Sequence, residues 1–168
     1  MNSKSRKTRI RAAVVTGAAL VTAASVTAGV SAAGPRPEAK PSKAQVASLF
    51  DRWNAALRTG DPEKVAKLYA ADAVLLPTVS NRIRTDHAQI VDYFEHFLAN
   101  KPVGKKVRTI VNVLDRNSAI DTGIYQFTLT DPKTGKKRVV EARYTYEYEK
   151  RGGQWLIVNH HSSAMPEG

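Results

Sequence analysis

The stretch RVVEARYTYEYE at residues 138–149 decides the fold class. Alternate positions in it include Tyr144, Tyr146 and Tyr148, and the other series of alternate positions, from 141 to 149, is mostly charged. Successive side chains of a β-strand point to opposite faces of a sheet, so this alternation predicts a strand whose tyrosines face the core. One apolar and one polar face is the pattern of an antiparallel sheet.

Three more segments with the composition of strands flank this one. They are rich in β-branched and aromatic residues and cover residues 107–114, 119–130 and 155–163. Turn-forming residues separate the strands at 115–117, 131–135 and 152–153. Short connections of this kind join antiparallel neighbours, so we predict a strand meander. The last strand is apolar on both faces at its start, which predicts that helices cover one face and a partner subunit the other.

The residues before the meander have helical periodicity. Ser42 and Gln45 form a capping-box pattern for a first helix, which Gly60 ends. Asp61 and Pro62 then suit the N-cap and the first position of a short second helix. That helix carries Val65, Leu68 and Tyr69 and is followed by an extended piece at 73–76.

A third helix is predicted to run from Asp86, its candidate cap, to about Ala99. Three helices followed by a strand meander predict an α+β fold. In such a fold the helices pack together on one face of a curved antiparallel sheet, and the other face of the sheet remains for solvent or for a partner.

Residues 1–33 have the order of a secretory signal peptide. Five cations and no acid are followed by an apolar run at 12–30 and by small residues that suit signal peptidase. A single residue separates Arg9 from Arg11, which favours general (Sec-type) secretion over a twin-arginine signal. We expect a secreted protein with no membrane association after cleavage, a Pro-rich linker at 34–43 and one domain at 44–168. A retained membrane anchor is the alternative.

Charge and cysteine content exclude several functions. Removal of the five cations in residues 1–33 lowers the formal net charge from +11 to +6. The domain at 44–168 then holds 18 cations and 14 acids, a balance that argues against nucleic-acid binding. The chain has no cysteine, so neither disulfides nor thiolate metal sites are expected. His87 and His96 fall on opposite sides of the predicted helix, so we assign no metal site and no cofactor.

Three features together resemble the nuclear transport factor 2-like superfamily. They are the order of the elements, the link Arg58-Thr-Gly-Asp-Pro62 and the closing block GQWLIVNHHSSAMP at 153–166. With Tyr93-Phe-Glu95 upstream, the chain is most similar to the association domain of calcium/calmodulin-dependent protein kinase II and its small bacterial relatives, among them proteins labelled SgcJ/EcaC oxidoreductases. The resemblance covers 42–166. It implies a cone in which helices and a concave sheet enclose a cavity, with homodimers formed through the sheet.

The resemblance and the tyrosine face together predict which residues line the cavity. On the last strand, Leu156, Val158, His160 and Ser162 are expected to face the cavity, and Trp155, Ile157, Asn159 and His161 to face outward. The predicted ligand site consists of Tyr144, Tyr146, His160 and Ser162, with Arg84 near the cavity mouth. His160 could instead be a hydrogen-bonded core residue, and Arg84 a solvated loop residue.

The ligand class of the kinase hub does not carry over. The resemblance places two of the hub's cavity arginines, which suit acidic ligands, at Tyr146 and Ser162 and a third near Val91, and none of these residues is arginine. We therefore expect an unidentified small organic ligand.

Three functions remain open, and a small-molecule binding module is favoured. As an enzyme of the isomerase or dehydratase type, the domain would use His160 as a base of near-neutral pKa, with Tyr144 or Tyr146 stabilising an oxyanion. Asp121 could point into the cone, or it could form an ordinary bend at the start of a strand. The oxidoreductase label has no nucleotide-binding or iron–sulfur motif behind it. The third function is protein assembly, as in the kinase hub.

The mature chain is predicted to begin at Ala33 or Gly34, because small residues at the cleavage site follow a cationic start and an apolar run. Amino-terminal sequencing of protein exported by the expressing cell measures this directly. Membrane-bound protein that retains Met1 would contradict the prediction.

Overall fold

Residues 39–166 are described by a computed structural model. The expected signal peptide at 1–33 and the first part of the 34–43 linker lie outside the described residues. Within the described part, the chain contains helices α1 Lys43–Arg58, α2 Pro62–Ala66 and α3 His87–Leu98, and strands β1 Tyr69–Leu76, β2 Val103–Val113, β3 Ser118–Thr130, β4 Lys137–Arg151 and β5 Gln154–Ala164. None of the described helices is long and apolar enough to span a membrane.

The predicted caps are present at the helix starts. The Ser42 side chain accepts the backbone N–H of Gln45, and the Gln45 side chain accepts the N–H of Ser42, which completes the capping box of α1. Asp61 caps α2, and Asp86 accepts the N–H of Gln89 at the start of α3. These short-range hydrogen bonds satisfy amides that have no partner inside the helix.

The five strands form one curved, open sheet in the order β1-β5-β4-β3-β2. Strands β2 to β5 are the predicted antiparallel meander, and β1 adds to the edge parallel to β5. Two predicted boundaries are wrong. Tyr69 belongs to β1 and not to α2, because it pairs with Ile157, and β2 begins at Val103 and not at 107.

The early start of β2 has a tertiary cause. Asn54 of α1 donates from its side-chain amide to the Gly104 carbonyl at 2.8 Å and accepts the Gly104 N–H at 2.9 Å. Gly104 also pairs with Phe127 of β3. These contacts hold a segment of low strand propensity in an extended conformation, and no local pattern predicts them.

A bulge in β5 reverses the faces of its first half. Glu147 pairs with Asn159 whereas Tyr148 pairs with Ile157, so Val158 is the extra residue. As a result, both Ile157 and His160 lie on the tyrosine side of the sheet. The prediction that Ile157 and Trp155 face outward is wrong: Ile157 is 2% exposed within the core, and Trp155 lies on the helix side with it.

The same bulge corrects the placement of Leu156 and Val158. Leu156 pairs with Glu149 on the outer side of the sheet, and Val158 occupies the bulge, so neither belongs to the cavity-facing series of His160 and Ser162. Strict alternation applies only to the part of the strand after the bulge.

Strand β2 has a comparable irregularity at Val107, opposite the junction of Ile124 and Tyr125. Beside it, the backbone of β2 approaches β3 so closely that a Cβ atom on Gly123 would lie 1.9 Å from the Arg108 carbonyl oxygen. Only glycine permits this approach. Bulges of this kind increase the twist of the sheet, and here they accompany its curvature around the helices.

Candidate functional site

The concave face of the sheet and helices α1 and α3 enclose a small cavity. Its volume is about 60 Å³, which is enough to admit water. Aromatic and aliphatic side chains form most of its wall. The lining residues are Trp53, Leu75, Pro77, Thr78, Val79, Tyr93, Phe94, Phe97, Tyr125, Phe127, Leu129, Arg138, Val140, Ala142, His160 and Ser162.

Three hydroxyl side chains of the cavity lie together at Ser162. Tyr125 donates its hydroxyl hydrogen to Ser162 Oγ at 2.5 Å, and the hydroxyls of Thr78 and Ser162 hydrogen-bond to each other. Three hydroxyls therefore meet at one point of an otherwise apolar wall. A hydroxyl is both donor and acceptor, so this group could satisfy a ligand hydroxyl or carbonyl by rotation of its hydrogens.

His160 is held inside the cone by two aromatic partners. Its Nδ1 lies 2.8 Å from Tyr69 Oη, and Tyr69 Oη accepts the indole N–H of Trp53 at 3.0 Å. Burial raises the pKa of Tyr69, so its hydroxyl remains protonated and donates to His160 Nδ1. The hydrogen of the neutral imidazole consequently resides on Nε2. The imidazole also stacks on Tyr146, with ring centroids 4.1 Å apart.

This environment favours the neutral form of His160. Burial, with a smaller contribution from the nearby charge of His161, lowers the pKa of His160 from 6.5 to about 3. The Nε2 atom is buried without a hydrogen-bond partner among the described residues. The expectation of a base with a near-neutral pKa is therefore wrong, because the apolar surroundings oppose protonation.

The structure brings two of the four expected ligand residues to the cavity wall. His160 and Ser162 line the cavity, whereas Tyr144 and Tyr146 are not among its lining residues. Tyr146 is completely buried behind His160, and burial raises its pKa. Tyr144 lies further along the sheet and donates to Asp121. The tyrosine face does point inward, but packing of the helices fills the space in front of it.

Asp121 points into the cone and is not part of a solvent-exposed bend. Its carboxylate is completely buried and accepts the Tyr144 hydroxyl at 3.0 Å, and Lys106 Nζ lies 3.9 Å from its other oxygen. Burial raises the pKa of Asp121. The pair of Asp121 and Tyr144 does not line the cavity near His160. These two groups therefore act as a structural link between β3 and β4.

Arg84 is buried beside the cavity and is not a solvated loop residue. A bridge to Leu75 folds the loop back onto β1, and the guanidinium donates to Asp92 of α3 at 2.9 Å. Arg84 lines a separate surface depression with Asp92 and Tyr93. Its charge is balanced by Asp92, so Arg84 is not the cation at the cavity.

The sequence-based site did not include Thr78, Tyr125 and Arg138, which all line the cavity. Arg138 is the charged residue among them. It is exposed and reaches the cavity from β4, next to Val140 and Ala142. The strand alternation indicates that Arg138 faces the cavity side, because residues 138, 140 and 142 share the face of the three tyrosines. Arg138 follows Lys136 and Lys137 next to the turn at 131–135, and a run of cations beside a turn is typical of a solvent-exposed hairpin tip. His161, by contrast, is exposed on the outer side of β5.

The family model described as calcium/calmodulin dependent protein kinase II association domain matches residues 42–166. A solved structure from Xanthomonas campestris, assigned to the same association domain, is 61% identical, covers 76% of this chain and 91% of that chain, and has a TM-score of 0.74. No curated protein shows a significant match.

Two more distant structures share the fold. A nuclear transport factor 2-like superfamily protein from Salmonella enterica is 17% identical, covers 74% of this chain and 92% of that chain, and has a TM-score of 0.65. The association domain of the Caenorhabditis elegans kinase is 12% identical, covers 73% of this chain and 95% of that chain, and has a TM-score of 0.60. At these identities the likeness concerns the cone-shaped α+β fold alone.

Replacing His160 with Gln is expected to reduce the loss in the free energy of unfolding as the pH falls below 6.5. In the unfolded chain His160 takes up a proton near pH 6.5, whereas the folded form resists protonation to about pH 3. The contribution of neutral His160 to the free energy of unfolding is therefore fully present above pH 6.5. It falls as the pH drops below 6.5, by about 1.4 kcal/mol per pH unit for one histidine.

The measurement is urea unfolding between pH 6.5 and 5, above the range where most carboxylates titrate. His96→Gln, which removes an exposed histidine of α3, is the matched control and is expected to keep the slope of the parent protein. Parallel profiles for His160→Gln and the parent would contradict the assignment of a buried neutral imidazole.

Proposed function

The chain belongs to the calcium/calmodulin dependent protein kinase II association domain family, and from this premise we propose that it is an exported protein that binds a small organic molecule. The resemblance found in the closing block is confirmed by the family match. The observation that carries the proposal is the aromatic cavity with a hydroxyl cluster, formed by Thr78, Tyr125 and Ser162, in its wall. Apolar walls with a few convergent polar groups are the usual make-up of a ligand site.

The lining of the cavity limits the ligand to a compact ring. Trp53, Phe94 and Phe97 offer ring faces and edges, and the hydroxyl cluster at Ser162 offers one polar contact. Arg138 supplies the charge at the rim. We propose a single-ring carboxylate whose ring enters between the aromatic side chains and whose carboxylate reaches Arg138.

The small volume of the cavity also favours a compact ligand. Ligand pockets commonly have about 300–1,000 Å³, whereas this cavity has about 60 Å³. A ring therefore requires movement of rim side chains. Val79, which is 68% exposed, and Arg138 both lie at the rim and can move at little cost in packing.

The chemistry at His160 favours binding over catalysis. A general base works best when its pKa lies near the working pH, and a pKa of about 3 leaves His160 a weak base at neutrality. The nearby acid and tyrosine, Asp121 and Tyr144, do not line the cavity. The isomerase, dehydratase and oxidoreductase alternatives therefore have less support than a binding role.

We propose in addition that the domain is a homodimer through the outer face of the sheet. The outward placement of Trp155 and Ile157 no longer supports this, since both lie on the helix side. The support comes instead from Ile110, which is 46% exposed on the outer face of β2, close to Ile124 of β3. Both residues line a shallow depression with Arg143 and His161, a mixture of apolar and polar groups that suits a subunit interface.

Ser162→Val is expected to weaken binding of 4-hydroxybenzoate to the mature protein by about three- to tenfold, since one neutral hydrogen bond contributes about 0.5–1.5 kcal/mol. The ring hydroxyl of this probe is the group that would bond to Ser162 while its carboxylate reaches Arg138. Isothermal titration calorimetry gives the dissociation constant. Ser163→Val, one residue further along β5 on the outer side, is the matched control and is expected to bind as the parent protein does. Arg138→Gln is expected to weaken benzoate more than phenol, with Lys137→Gln as its control.

Thermal melts of the four variants check that each folds. Equal affinities of Ser162→Val and Ser163→Val for 4-hydroxybenzoate, or no binding of 4-hydroxybenzoate, benzoate or phenol at millimolar concentration, would refute the cavity as a single-ring carboxylate site.

Ile110→Glu is expected to convert the dimer to a monomer, because it places a charge in the proposed apolar contact. Sedimentation velocity at micromolar concentration measures the two species. Ile83→Glu introduces the same charge at a comparably exposed isoleucine in the loop before α3 and is expected to leave the dimer intact. A parent protein that sediments as a monomer would overturn the proposal.

A further inference from the structure

The mouth of the cavity lies at one end of the sheet, where several segments of the chain come together. The strand register brings the ends of β1, β3 and β5 and the starts of β2 and β4 to this end. Val79, in the loop after β1, and Arg138, at the start of β4, line the same cavity. The loop and the β3–β4 hairpin therefore meet at the opening.

The link after α3 belongs to the same end of the domain. The backbone N–H of Thr130, the last residue of β3, donates to the Asn100 carbonyl at 2.7 Å. Asn100 also lines a depression together with Val79 and Arg82 of the loop. We call the exposed residues of these segments the mouth surface. They are Val79, Arg82, Ile83, Lys101, Lys133, Lys136 and Arg138.

Four cations of the mouth surface have no side-chain partner in the described part of the chain. Arg82, Lys101, Lys133 and Lys136 are exposed, and none of their side chains forms a hydrogen bond or an ion pair with another described residue. Arg138 adds a fifth positive charge at the rim of the cavity. Like charges held close together repel one another, and contact with an anionic partner relieves that repulsion.

The acid of these segments caps the hairpin turn. The segments 79–83, 100–101 and 131–138 contain six cations and one acid, Asp131. Its carboxylate accepts the backbone N–H groups of Thr134 and Lys133 at 2.7 and 2.8 Å. These hydrogen bonds lower the pKa of Asp131, and the charge of Arg138 lowers it further. Asp131 thus offsets part of the charge of Arg138, and a clear excess of positive charge remains.

Two aliphatic side chains are exposed on the same surface. Val79 and Ile83 are 68% and 55% exposed, and they lie on either side of Arg82 in the loop. Single exposed aliphatic residues are ordinary on protein surfaces. Two of them beside unpaired cations, at the opening of a mostly apolar cavity, form the mixture of apolar and basic groups that suits the interface of a bilayer.

We propose that the mouth surface binds the surface of a bilayer that contains anionic lipids. The cations attract the lipid phosphates, and Val79 and Ile83 enter the boundary between headgroups and acyl chains. The aliphatic residues distinguish this partner from a nucleic acid, which would use the charge alone. Contact of this kind is peripheral and places the cavity mouth against the lipid. It revises the expectation that the mature protein has no membrane association.

Sedimentation with lipid vesicles tests the proposal, since bound protein pellets with the vesicles. The mature protein is expected to bind vesicles of phosphatidylcholine and phosphatidylglycerol more tightly than vesicles of phosphatidylcholine alone, by about tenfold or more. High salt is expected to weaken this binding, because exposed charges are screened. Equal binding to the two kinds of vesicle, or binding to neither, would overturn the proposal.

The double variant Lys133→Gln with Lys136→Gln is expected to weaken binding to the anionic vesicles by about tenfold or more, since each cation near such a surface adds to the attraction. The matched control is Lys43→Gln with Lys67→Gln. It removes the same charge from exposed lysines at the start of α1 and the end of α2 and is expected to bind as the parent does.

Ile83→Ser is expected to weaken binding to the same vesicles by about three- to tenfold, because less apolar surface enters the bilayer. Leu114→Ser changes a comparably exposed residue at the opposite end of the sheet and is expected to have no effect. Equal losses in a variant and its control would overturn the proposal, as would binding to duplex DNA that is as tight as to the anionic vesicles. Lys133, Lys136 and Ile83 do not line the cavity, so these results do not depend on ligand binding there.

Discussion

The hydrogen-bonded chain of Trp53, Tyr69 and His160 joins three elements that are distant in the sequence. It connects α1 to the first residue of β1 and to the middle of β5, inside the cone. Each bond contributes about 1 kcal/mol to stability when both partners are present, and a broken one leaves a buried polar group exposed to an apolar environment. The chain ties α1 and β1 to the middle of β5 and sets the tautomer of His160, whose pKa is lowered by burial.

The β5 bulge is the second constraint, and it acts on both halves of the strand. By inserting Val158, it allows Ile157 to pack against the helices while His160 still faces inward three residues later. The same insertion places Trp155 on the helix side, beside Leu49 of α1. One extra residue therefore sets the lining of the cavity at one end of the strand and the packing against α1 at the other.

The proposed cavity site would select its ligand chiefly by shape. The cavity at Ser162 is small and mostly apolar, so shape and exclusion of water would decide what enters it, with Arg138 acting at the rim. Tyr146 and Ser162, which the resemblance aligns with cavity arginines of the kinase hub, are not arginine in this chain.

The sequence by itself determined those features that depend on neighbouring residues: the caps at Ser42, Asp61 and Asp86, the alternation that turns Tyr144, Tyr146 and Tyr148 inward, and the α+β order. Capping and alternation involve residues within a few positions of one another, so a local pattern is sufficient. Only the tertiary structure decided the start of β2, the bulge at Val158, the burial of Arg84 and the approach of Arg138 to the cavity. It also decided that His160 stays neutral and that Tyr146 lies behind the cavity wall. These features result from contacts between elements distant in the chain, and the free energy of such contacts depends on how helices and strands pack, which no local pattern records.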